Sequence, residues 1–91
     1  MKTTGTYLIY RSDTNEFLAE RAEGTLQNVL AWCEHPGEAL RYTSVGTIES
    51  VAREMVKNLG ATLTVCELFE SSAQYLPQPL TDIFAFDPEL N

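Results

Sequence analysis

The sequence is poor in the residues on which most enzyme chemistry depends. It has one histidine, two cysteines and no basic residue after Lys57. It contains neither GxxxxGK[ST] nor GxGxxG, so neither phosphate-cradling fingerprint is available. The glycines Gly5, Gly24, Gly37, Gly46 and Gly60 are scattered at the expected ends of elements, where backbone freedom accounts for them. No apolar run approaches the ~20 residues needed to span a bilayer as a helix. No apolar core follows Lys2 as it would in a secretory leader, so the expected setting is the cytoplasm. Cys33 and Cys66 form no CxxC pair. In that setting their thiols stay reduced, and both read as small buried hydrophobes.

What is present is a short, acidic, ordinarily apolar chain. Its 91 residues suit one domain with a modest core, and 44% are hydrophobic. The net charge of −7 opposes binding to nucleic acid, which relies on Lys and Arg to neutralise phosphates. It equally opposes anionic membrane surfaces. Beyond Lys57 the charge is all of one sign, through Glu67, Glu70, Asp82, Asp87 and Glu89. Two explanations stand: a solvated acidic end that aids solubility, or a surface aimed at a basic protein partner.

One element is clear. Ile48, Val51, Ala52, Met55, Val56 and Leu59 recur at helical spacing, with Glu49, Arg53, Glu54 and Lys57 on the other face. The pattern predicts an amphipathic helix over Thr47–Leu59. Thr47 is the expected N-cap, Ser44 is its rival one turn earlier, and Gly60 follows the end. Thr6–Ser12 and Phe17–Glu23 read as a hairpin around the turn-forming Asp13-Thr14-Asn15-Glu16. Residues 25–34 fit either a short helix capped by Thr25 or a strand near Val29–Cys33. His35-Pro36-Gly37 is a turn, and Leu40–Thr43 is another short strand. Ala61–Phe69 is the best strand, with Leu63, Val65, Glu67 and Phe69 on one face.

These elements predict an α+β fold in β-β-β-α-β order, one strand longer if residues 29–33 are also extended. The sheet is antiparallel or mixed, with the helix packed on one face. Residues 1–70 form the domain. Residues 71–91 are expected to be a C-terminal arm, because Pro77, Pro79 and Pro88 break regular structure while Tyr75, Leu80, Ile83, Phe84 and Phe86 are too apolar for a disordered tail. The arm either packs over the open face of the sheet or docks on another chain. Its aromatic anchors would be Phe84 and Phe86.

Candidate chemistry is sparse. Cys33-Glu34-His35 places a thiol near an imidazole, but this spacing alone does not align a nucleophile with its base, and a metal would need further ligands. No catalytic residue, cofactor or metal ligand is assigned.

A resemblance adds to this reading. The hairpin YLIYRSDTNEFL, the stretch from Trp32 to Tyr42 ending in EALRYTS, the helix VGTIESVAREMVKNLGA and the strand LTVCEL together resemble small proteins encoded by phages and prophages. The likeness covers about two-thirds of the chain, and the segment from Glu70 lies outside it. Many proteins of that kind look like host-takeover or counter-defence factors, including acidic CRISPR inhibitors. The resemblance implies no functional residue. From residues and resemblance together, the expected function is non-enzymatic protein binding. The expected partner is a basic, nucleic-acid-handling host protein, and the expected partner-binding residues are Glu67, Glu70, Tyr75, Asp82, Phe84, Phe86 and Asp87. The alternatives are a homo-oligomeric accessory domain, such as a homodimer, and a small Cys/His enzyme or metal protein.

Overall fold

The computed structural model of the chain describes residues 1–24 and 27–85. In chain order the elements are β1 (Lys2–Arg11), β2 (Glu16–Glu23), β3 (Gln27–Cys33), a 3-10 turn (Pro36–Glu38), the helix α1 (Val45–Leu59), β4 (Leu63–Ser71) and β5 (Gln74–Ile83). The five strands form one antiparallel sheet in the order β3-β2-β1-β4-β5. The strands that flank the helix, β3 and β4, therefore lie three places apart, with β2 and β1 between them, and run in opposite directions.

The helix is the expected one, begun two residues earlier. Ser44 is the N-cap, and its Oγ accepts the Thr47 N–H at 3.3 Å. Thr47 is therefore not the cap but the residue whose orphan donor the cap satisfies. Gly60 ends the helix at φ 67°. The stripe of Ile48, Ala52 and Val56 is buried against Ile9, Leu18, Leu63, Val65 and Ile83, and the helix lies over β1, β4 and β5.

The C-terminal arm is corrected. Residues 74–83 form an edge strand paired with β4 along its length, so residues 71–83 belong to the sheet, and the rest of the expected arm beyond Ala85 lies outside the described residues. Backbone alternation explains how a strand can carry two prolines. The Tyr7–Tyr42 and Leu8–Cys66 pairings set the direction of alternate peptide groups across β1 and β4. On β5, Gln74, Leu76 and Gln78 then bond inward to β4, while Tyr75, Pro77 and Pro79 face the free edge. A proline there forfeits no ladder bond. Beyond Pro79 a register shift leaves Leu80 as the extra residue of a bulge. The β4–β5 connection has only two residues, Ser72 at φ 49° and Ala73 at φ 66°. Positive φ at both central positions matches a type I′ hairpin turn.

The hairpin β1–β2 is paired only near its turn, at Tyr10–Phe17 and Arg11–Glu16. Below that the strands part, and the stretch expected as a strand over Leu40–Thr43 enters the gap as a bridge. The Leu40 N–H donates to the Leu18 carbonyl at 2.8 Å, and Tyr7 and Tyr42 exchange backbone bonds of 2.8 and 2.9 Å.

The face opposite the helix also has its own cover. Leu8, Phe17, Cys66 and Leu68 are buried there, and Ala39 packs with them. Gly37 lies against the Tyr75 ring, where an added Cβ would come within 3.2 Å of Cδ2. The connection between β3 and α1 supplies the cover that was expected from the aromatic arm or a partner.

Candidate functional site

Five of the seven expected partner-binding residues come together on the β4–β5 hairpin or just beyond it. Strand alternation divides them between its faces. Glu67 lies on the helix side with Val65, and its carboxylate accepts the Thr3 hydroxyl at 2.9 Å. Glu70, Tyr75 and Asp82 lie on the other side, where Glu70 and Tyr75 are cross-strand neighbours. Asp82 accepts the Thr64 hydroxyl at 2.7 Å. Phe84 follows the strand end and is 61% exposed. Phe86 and Asp87 lie outside the described residues.

The hairpin contains no Lys or Arg, and among the described residues the ion pairs are Arg11–Asp13, Arg53–Glu49 and Lys57–Glu54. Glu67, Glu70 and Asp82 are in none of them. Two cations nonetheless come close, and sequence reasoning missed both. Lys2 is the cross-strand partner of Glu70 on the β1 side. The Arg41 guanidinium stands 4.7 Å from the centre of the Tyr75 ring, a cation–π placement. The one sequence signal near the second is the dipeptide Arg41-Tyr42, basic beside aromatic. The Tyr75 end of the hairpin is thus mixed in charge, and its acidity is least offset near Asp82.

The thiols and the imidazole are not assembled. The Cys33 Sγ donates to the His35 backbone carbonyl at 3.3 Å, and burial raises its pKa. Burial, reinforced by the charge on Asp82, pushes the Cys66 thiol up to about 11, which holds it protonated and weakly nucleophilic at neutral pH. Among the described residues no group of three or more His, Cys, Asp or Glu side chains is arranged to hold a metal ion. None of the described helices is long and apolar enough to cross a membrane.

Comparison with protein-family models, with curated proteins and with solved structures finds no match to this chain.

Proposed function

We propose that this chain is a non-enzymatic binding protein, an inhibitor or accessory factor of the phage type, that docks a basic nucleic-acid-handling protein against its β4–β5 hairpin. The observation that carries the reading is the charge of that hairpin. It bears Glu67, Glu70 and Asp82 with no basic residue of its own, beside the exposed Phe84 and the partly exposed Tyr75. Carboxylates steer a basic surface into register, and aromatic side chains supply the desolvated contact that sustains binding.

The test is affinity capture from host lysate with wild type and with an Asp82→Lys/Phe84→Ser double variant. Wild type should retain a basic protein at low salt and release it as salt rises, and the variant should retain none. Recovery of nothing by the wild type at low salt, or equal recovery by the variant, would overturn the proposal.

A further inference from the structure

The two edges of the sheet are built differently, and the contrast identifies an interface. On β5 the outward positions include Pro77 and Pro79, which have no N–H, and the strand is bulged at Leu80. These are devices that stop a second strand from adding to an edge. The β3 edge has none of them. Its seven residues, QNVLAWC, contain no proline and no charged side chain, and its register with β2 is unbroken from Phe17–Cys33 to Glu23–Gln27.

The direction of its free backbone groups follows from one hydrogen bond. The Leu18 carbonyl accepts from the Leu40 N–H, on the side of β2 away from β3. Alternate residues of a strand point their peptide groups to opposite sides, so Phe17, Ala19 and Arg21 bond to β3. Their partners Cys33, Ala31 and Val29 point inward. Asn28, Leu30 and Trp32 therefore present their N–H and C=O groups at the open edge. This set is symmetric about Leu30. A two-fold axis through Leu30 pairs Leu30 with its own copy and Asn28 with Trp32 of the second copy, and every outward group finds a partner.

We propose that β3 joins two copies of this chain edge to edge, antiparallel about Leu30, into one ten-stranded sheet. The self-complementary register favours a second copy at this edge, and the local charge permits it. A chain of net charge −7 repels itself, so a self-pairing edge must keep carboxylates apart. The nearest acidic residue in the register is Glu20, opposite Leu30 on β2. Across the dyad the two Glu20 residues stand three strand spacings apart, about 14 Å. That exceeds the screening length of about 8 Å at physiological salt. The Leu30 side chain, 56% exposed in one copy, meets its twin on the helix side of the joined sheet. The principal contacts of α1 are with β1, β4 and β5, and Leu30 stands exposed beyond Trp32, the last residue of this edge that packs against the core under the helix.

The test is sedimentation of the purified chain across about 10 to 500 µM, the range suited to a small interface. Wild type should pass from monomer to dimer and dimerise more readily as salt rises, the opposite of binding to a basic partner, so the two proposals fail separately. L30K, which sets two lysines face to face, should stay monomeric with an unchanged circular dichroism spectrum. L80K, at a similarly exposed leucine beside the other edge, should dimerise as wild type does. In a Cys33→Ser background, L30C should form a disulfide-linked dimer on mild oxidation, because the paired Cα atoms would stand about 5.5 Å apart. A wild type that stays monomeric at 500 µM, dimerisation by folded L30K, or a dimer in which L30C does not cross-link would overturn the proposal.

Discussion

The turn between β4 and β5 places two ordinary residues where the backbone favours Asn and Gly. Ser72 and Ala73 sit at φ 49° and 66°. Holding an L-residue with a Cβ in that region costs about 1–2 kcal/mol, which glycine escapes. Glycine also frees the unfolded chain, at a cost of about 0.4–1 kcal/mol, so Ala73→Gly should stabilise by a net ~0.5–1 kcal/mol. Asparagine is several-fold enriched at positive φ, equivalent to a further gain of about 0.5 kcal/mol for Ser72→Asn. The double variant should therefore gain about 1–1.5 kcal/mol and melt about 4–12 °C higher, as a domain of this size converts free energy to midpoint. Thermal unfolding followed by circular dichroism, checked by urea titration, measures it. Ala22→Gly is the control. That alanine is exposed in the regular part of β2, where glycine should cost about 0.5–1 kcal/mol. The sign should differ between the two alanines. If Ala73→Gly lowers the midpoint as Ala22→Gly does, the turn does not have the conformation described.

Two further outcomes follow from the helix cap and the buried thiol. Ser44→Ala should cost about 1 kcal/mol in chemical denaturation, whereas Thr47→Ala, which keeps the capped N–H, should change stability by less than about 0.5 kcal/mol; equal losses would refute the cap assignment. The native Cys66 thiol ionises near 11 against 9.0 for an unperturbed thiol, so its stabilising contribution is complete below pH 9 and is lost as pH rises from 9 through 11. The slope approaches about 1.4 kcal/mol per pH unit within that window, and Cys66→Ala should flatten the melting temperature between pH 8 and 10.5; an unchanged slope would count against it.

The helix was legible because its core-facing residues repeat at the helical period and its partners are the nearest strands, so local and tertiary forces agree. The strand beyond Ser71 was hidden by the same chemistry that suits it to an edge. Pro77 and Pro79 read as breakers, yet their spacing of two puts both on the side of the strand that has no neighbour. Its turn was hidden because Ser-Ala carries no turn signal. The cover over the second face was illegible for another reason. Ala39 and Gly37 act through where the backbone passes, which no periodicity records. Of the candidate site, the acidic and aromatic residue types were readable one by one. Their division between two faces, with Lys2 and Arg41 close by, depends on pairing that only the folded sheet defines.

The gap between β1 and β2 also bears on how the domain assembles. A hairpin ordinarily closes from its turn as a local event within microseconds. Here closure must halt after Tyr10 and Phe17, since the partner of Tyr7 lies 35 residues further along and that of Leu18 lies 22 residues further. If the two strands zipped together fully, they would shut the 40–42 segment out and bury the wrong groups against each other. The sheet is thus two half-sheets, β2–β3 and β1–β4–β5, joined by the local hairpin pairs at Tyr10–Phe17 and Arg11–Glu16 and, beyond them, by a short suture of non-local bonds. Such a suture closes late in folding and is the first to open in the native state. The amides of Tyr7, Leu40 and Tyr42 should exchange with solvent sooner than those inside either half-sheet, and they mark the line along which the molecule comes apart.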